Sequence, residues 1–152
     1  MLHHSARLEE LERGECLRLL AAARFGRLAV SPPDWETPPV IRPVTYVFDS
    51  GSQSIVFRSA RGSKFTALLL SGHAAFEIDA TEPVAETGWS VIVMGAVDEI
   101  RDPAEVRRVE QLGLRPWAPG EKPHWIRLRA NVVSGRRITR LSGARETSAV
   151  HP

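Results

Sequence analysis

VFRSARGSKF, residues 56–65, joins two kinds of local pattern. The run that ends at Phe57 is β-type, with β-branched and aromatic residues in succession. From Ser63 the segment SKFTALLLSG has the composition of a short helix and stops at Gly72. Between the two lie Arg58, Arg61 and Lys64, interleaved with Ser59, Gly62 and Ser63. A helix start carries about half a positive charge from its aligned peptide dipoles, so acidic side chains belong there. Cations in their place cost about 0.3–1 kcal/mol each unless an anion sits among them. Backbone N–H groups near Gly62 and Ser63, Arg as a two-pronged donor, Lys as a point charge and two hydroxyls suit a phosphate. The same residues also fit a plainer arrangement, in which the long side chains splay into water and Ser63 is an ordinary N-cap. There is no GxxxxGK[ST] loop, so spacing alone does not say whose phosphate it is.

Upstream, VIRPVTYVFD (40–49) reads as a strand, and SGSQ turns it back into SIVFRS (54–59) as a hairpin. Pro43 puts that strand at an edge or a bulge. Four prolines in SPPDWETPP (31–39) make a loop, preceded by a short strand RLAV (27–30). Leu8, Leu11, Cys16, Leu19, Leu20 and Ala23 recur at helical spacing in LEELERGECLRLLAAARFG, with Gly14 a candidate start and Gly26 a candidate stop. Downstream, HAAFEID (73–79) alternates as a half-buried strand, and WSVIVMGAVDEI (89–100) is the longest strand, with a bulge expected at Gly95. RDPAEVRRVEQLG begins a helix by rule: Asp102 as N-cap, Pro103 first, Glu105 closing a capping box, then Val106, Val109 and Leu112 as the buried stripe. A second proline loop leads to WIRLRAN (125–131) and to VVSGRRI, a possible last strand. Residues 1–138 read as one domain and 139–152 as a polar tail that frays.

Composition excludes several classes. Hydrophobic residues at 43% and charged ones at 25% of 152 residues suit one globular domain with a core. The net charge of +2 is too mild to argue for nucleic acid. A lone cysteine, Cys16, rules out an internal disulfide and fits a reducing compartment. No apolar run approaches the roughly eighteen residues of a membrane span, and the N-terminus has no apolar signal core, so a cytoplasmic protein is expected. His3 and His4 are too few for a metal site. Helices do not alternate with every strand, which argues against a doubly wound sheet and for a closed or nearly closed antiparallel barrel with helices at its ends.

Taken in order, GRLAV, PVTYVFD, IVFRSARGSKFTALL, AFEID, GWSVIVMGAVDEI and SGRRI resemble the pyridoxamine 5′-phosphate oxidase-like flavin-binding split barrels of the small actinobacterial type. The resemblance covers most of residues 12–138. It implies a mainly β fold, a six-stranded antiparallel split β-barrel with a few short helices, assembled as a homodimer. It implies FMN in a groove at the dimer interface, with Arg58, Ser59, Ser63 and Lys64 on the phosphate and Gly62 allowing close approach. Val44, Thr45 and Tyr46 would line the isoalloxazine ring, and Trp89 would approach it from the partner subunit. The deazaflavin F420, whose phosphate and glutamyl tail are also anionic, is the alternative cofactor on the same scaffold. An Arg-x-His motif that grips pyridoxamine phosphate in the authentic oxidases has no counterpart in SGRRITRLSGARETSAVHP, so that substrate is not expected. The implied function is flavin-dependent redox chemistry on a small molecule, with no catalytic side chain, no metal and neither nucleic acid nor membrane as partner. A non-enzymatic flavin or haem binder is the competing class.

Other residues have two readings each. Trp35, Trp117 and Trp125 could cover a flavin, fill an interface or pack on proline rings. Tyr46 could stack on a ring or be a buried strand tyrosine with its hydroxyl satisfied. Arg42 shares a strand face with Val44 and Tyr46 and could meet the flavin or a carboxylate. His73 and His124 are conceivable haem ligands and more ordinary as surface residues. Glu77 and Asp79 read as a solvated strand face, and Cys16 as buried and inert.

Overall fold

The computed structural model describes residues 5–141. His3, His4 and residues 142–152 of the expected tail lie outside the described residues. The elements are β1 (Ser5–Glu10), α1 (Arg13–Ala22), β2 (Phe25–Val30), β3 (Val40–Thr45), β4 (Val47–Asp49), β5 (Ser54–Ser59), α2 (Lys64–Leu70), β6 (His73–Glu82), β7 (Thr87–Glu99), α3 (Pro103–Glu110), β8 (His124–Arg129) and β9 (Val132–Leu141).

All pairings are antiparallel, in the order β3-β2-β6-β7-β8-β5-β4. The first and last members of that series are two halves of one strand. Residues 40–45 pair with β2 and residues 47–49 with β5, so the sheet curls round and closes at Tyr46. This is the mainly β split barrel, built from six strands when β3 and β4 are counted together, with β9 and β1 added beside β7. Alternate residues point inward. Leu28, Val30, Ile55, Phe57, Phe76, Ile78, Val91, Val93, Ile126 and Leu128 fill the interior, with Cys16 and Leu20 from α1 and Leu69 from α2. A second cluster on the outer face of β4, β5 and β8 (Val47, Val56 and Trp125) is covered by Val109 of α3.

The long strand β7 serves three neighbours. It pairs with β6 over its first ten residues, with β9 through Gly88–Met94, and with β8 through Val97–Glu99. Gly95 is not a bulge as expected; its ladder with Ala74 is regular. It stands where β7 passes from β9 to β8, and a Cβ there would lie 1.8 Å from the Arg129 carbonyl oxygen. Close backbone approach, rather than an extra residue, requires the glycine.

Three other expectations need correction. The N-terminal segment to Glu10 is a strand, not a helix: Glu9 and Glu10 stand opposite Arg137 and Arg136 of β9, and Leu11 N donates to the Gly135 carbonyl. Pairing with a basic strand outweighs the helical spacing of the leucines. The chain does not fray at Thr139, because β9 continues to Leu141 against β1. Gly26 does not stop α1; it lies inside β2, against the Phe76 ring. Pro43 is at an edge, since β3 pairs only with β2.

On the outer face, register sets one row across five strands: Ile41, Ala29, Ala75, Met94 and Val132. Ile41, Met94 and Val132 are exposed apolar residues. No helix among the described residues is long and apolar enough to cross a membrane.

Candidate functional site

The 56–65 segment does not fold as one anion cradle. Neighbouring residues on a strand face opposite sides, and Arg58 and Ser59 do so at the end of β5. Ser59 is buried, its hydroxyl against that of Thr66, which donates in turn to the Ala60 carbonyl at 3.1 Å. Ser63 is the N-cap of α2, its Oγ accepting from Phe65 N at 3.2 Å and Thr66 N at 3.4 Å. Gly62 has φ +70° and makes the turn into the helix, a conformation that other residues rarely hold. Arg61 and Lys64 are exposed, and neither has a hydrogen-bonding partner among the described residues.

Arg42 joins that end of α2. Its guanidinium lies 5.4 Å from the centre of the Phe65 ring, in the first turn of the helix. The β3 strand thus brings an exposed cation to the helix turn that also holds Lys64, while Arg58 meets the Lys122 carbonyl and Trp125. Sequence order hid this, since Arg42 and Phe65 are far apart in the chain. The only signal was its shared face with Val44.

Arg58 faces a cavity of about 260 Å³ lined by Phe25, Pro43, Val44, Thr45, Pro116, Trp117, Ala118 and Lys122. Its Nε donates to the Lys122 carbonyl at 2.8 Å, and its guanidinium lies 5.0 Å from the Trp125 ring centre. The roof is the second proline loop. The Trp117 ring stacks on Phe25 at 5.1 Å and 9°. Lys122 Nζ donates to the Ala118 and Pro119 carbonyls at 3.4 and 3.2 Å, which braces the loop. Trp117 therefore packs on a phenylalanine, while Trp125 is buried beneath Arg58 and Trp35 is exposed. Phe25, Pro43, Val44, Pro116, Trp117 and Ala118 make the walls mainly apolar, and Thr45, Arg58 and Lys122 bring polar groups to them. Such a cavity suits a flat ring with a polar edge.

Tyr46 sends its side chain inward. It is 1% exposed, its hydroxyl donates to the Leu20 carbonyl at 2.7 Å, and its ring packs edge-on against Phe76. Burial raises its phenol above the ordinary value. Trp89 lies apart from the cavity, half-buried beside a hollow with Asp79, Gly88, Ser90, Arg136 and Ile138. Of the nine expected binding residues, one cavity gathers Val44, Thr45 and Arg58; Gly62, Ser63 and Lys64 stand at the α2 start, Ser59 and Tyr46 are internally bonded, and Trp89 is elsewhere.

The family model described as pyridoxamine 5′-phosphate oxidase matches residues 12–145. The chain belongs to the pyridoxamine 5′-phosphate oxidase family. Within this family it is similar to the uncharacterized protein Rv0080 of Mycobacterium tuberculosis, 32% identical over 134 residues, covering 85% of this chain and 84% of that protein. Among solved structures it is similar to the FAD binding protein of Mycobacterium smegmatis, at 30% identity and TM-score 0.72, covering 85% of this chain and 98% of that one. A heme binding protein of Mycobacterium smegmatis shares the fold at 19% identity and TM-score 0.64, over 88% of this chain and 59% of that one. Membership of the pyridoxamine 5′-phosphate oxidase family and these neighbours suggest a flavin-binding split barrel.

The remaining polar groups are structural. Asp49 is 1% exposed and accepts from Arg108 Nη1 at 3.0 Å and Nη2 at 2.5 Å; the Arg108 guanidinium holds its carboxyl far below the ordinary range. Glu105 does not close a capping box. Its carboxylate, lowered to about 2 by Arg108 and then Arg127, binds those two guanidiniums. Asp102 does cap α3, accepting from Ala104 N. His124 Nδ1 pairs with Glu99 at 2.5 Å, and His73 is exposed. Arg27 bridges Glu77 and Asp79 at 3.1 and 3.3 Å on the open sheet face. Cys16 is fully buried, and burial pushes its thiol up. In SGRRITR, Arg137 and Arg140 pair with Glu15 and Glu86.

Proposed function

We propose that this protein is a cytoplasmic flavin-dependent oxidoreductase that binds FMN as a homodimer. The observation that carries the reading is the roofed cavity: it joins Val44 and Thr45 of β3 to Arg58 of β5 beneath Trp117. In this reading β3 holds the ring along its Val44–Thr45 edge, and the cofactor phosphate lies at the start of α2. Lys64, Arg61 and Arg42 supply its counter-charge, with Gly62 leaving room. Ser59 and Ser63 shape the turn through their own hydrogen bonds rather than by direct contact.

A bound flavin supplies two-electron chemistry at N5. The protein's part is to bind it, orient it and exclude water, and Trp117 on Phe25 is the excluding group. The apolar row Ile41–Ala29–Ala75–Met94–Val132 supports a second copy on the outer sheet face, because exposed apolar patches mark association surfaces. Trp89 does not line the cavity of its own chain and stands on the opposite face of β7 from Met94, so its service to the partner's site rests on the family resemblance and not on this row.

The test is titration of the purified protein with FMN, FAD, F420 and haem, followed by absorbance, with the mass of the particle measured in solution. FMN bound at one per chain in a dimer is the expected result. Binding of F420 or haem alone, or none of the four, overturns the FMN assignment.

A further inference from the structure

Two cations border the cavity, Arg58 and Lys122, and the latter is spent on the Ala118 and Pro119 carbonyls of its own loop. Arg27, Arg108, Arg127 and Arg129 each face a carboxylate. Arg58 faces none among the described residues. One edge of its guanidinium is tied to the Lys122 carbonyl, its flat side rests near Trp125, and it borders the cavity opposite Val44 and Thr45. Those contacts fix a full positive charge, with N–H donors left over, beside walls that are mainly apolar apart from Thr45 and Lys122. In such surroundings a charge acts at greater strength than in water.

We infer that Arg58 serves the flavin ring and not the flavin phosphate, stabilising the negative charge that reduction leaves on the N1–C2 carbonyl edge. This rests on the ring occupying the cavity proposed above. Reduction by a hydride donor of the reduced-nicotinamide class moves two electrons and one proton to N5, and the donor leaves oxidised. No proton is then needed at N1, and the resulting charge is matched by the guanidinium. Arg58 is thus a positioning and tuning residue for the cofactor's electronics.

The experiment compares wild type, Arg58→Gln and Arg58→Lys, each loaded with FMN or with lumiflavin, which has no phosphate. Dissociation constants and two-electron midpoint potentials are measured across pH. The expected result is a preference for reduced over oxidised flavin about tenfold smaller in Arg58→Gln, equal to about 30 mV for a two-electron couple. The loss should be the same with FMN and lumiflavin and largely restored in Arg58→Lys. The wild-type potential should fall with pH as for one proton per two electrons, and Arg58→Gln should extend the two-proton regime to higher pH.

If Arg58→Gln weakens FMN but not lumiflavin and leaves the potential unchanged, Arg58 is a phosphate ligand and the inference fails while the flavin reading stands. If wild type binds neither flavin, both fail. Arg58→Lys keeps the charge at the strand end and guards against an outcome caused by misfolding of the glutamine variant.

Discussion

The Tyr46 hydroxyl donates to the Leu20 carbonyl at 2.7 Å, while Tyr46 N donates to the Arg24 carbonyl at 3.0 Å. These two bonds pin the bend at which one strand leaves β2 for β5 against the end of α1, and so close the barrel. Tyr46→Phe leaves the Leu20 carbonyl buried without its partner. The expected cost is about 1–2 kcal/mol in urea unfolding. Because the ring points into the core, the spectrum and affinity of bound flavin should not change; a shifted flavin band would put the tyrosine at the ring instead.

Gly95→Ala tests the crossing of β7. An added Cβ meets the Arg129 carbonyl oxygen and the Asn131 side chain. Asn131 Oδ1 accepts from Ala96 N there, so the strands have little room to part. Overpacking of this kind costs about 1–3 kcal/mol. Thermal unfolding of the variant should show it, and a wild-type melting temperature would mean that β7 and β8 separate more readily than their register implies.

The Asp49–Arg108 pair makes stability depend on acid. The folded carboxyl titrates below the 3.8 of a free aspartate. Its contribution is therefore complete above that value and is lost as pH falls through the lower folded value. Asp49→Asn should cost about 2 kcal/mol at neutral pH. The gap between wild type and variant should narrow as pH falls below 3.8, over a range in which Glu105, lowered from 4.5 to about 2, is also losing its contribution. A gap that stays constant down to acid unfolding would contradict the pairing.

Lys64→Ala removes charge from the α2 start without touching the cavity. FMN should bind about tenfold more weakly, near 1.4 kcal/mol. Riboflavin, which lacks the phosphate, should bind as in wild type. Equal losses for both ligands, read by fluorescence quenching, would move the phosphate away from α2.

Trp117→Ala removes the ring that roofs the cavity and uncovers Phe25. The stack contributes about 0.5–1.5 kcal/mol beyond burial. Loss of the stack should lower the unfolding free energy by about that amount, and uncovering the cavity should quicken flavin release in stopped flow. Unchanged release would make the loop a bystander.

Local pattern reached some of this molecule and not the rest. Ser54–Ser59 was legible to the residue because β-branched and aromatic side chains on a buried strand leave few alternatives. Asp102 followed by Pro103 announced α3, since both act within one turn. Glu105 was misread because two guanidiniums compete for it, Arg108 three residues on and Arg127 from a strand 22 residues further on. The helix start expected near Gly14 holds, α1 beginning at Arg13, whereas Leu8 and Leu11 shared the helical spacing only locally and the pairing of β1 with β9 spans the length of the domain.

The sequence alone determined the alternation of strands and helices, the family, and the clustering of cations about the junction of β5 and α2, because each is written within a few neighbouring residues. Only the tertiary structure decided how those cations divide. Strand geometry turns Arg58 away from Ser59, and barrel closure carries Arg42 to Phe65 and lays the Trp117 loop over Val44 and Thr45. Neither consequence is encoded in spacing, since both depend on which distant strands come to lie side by side.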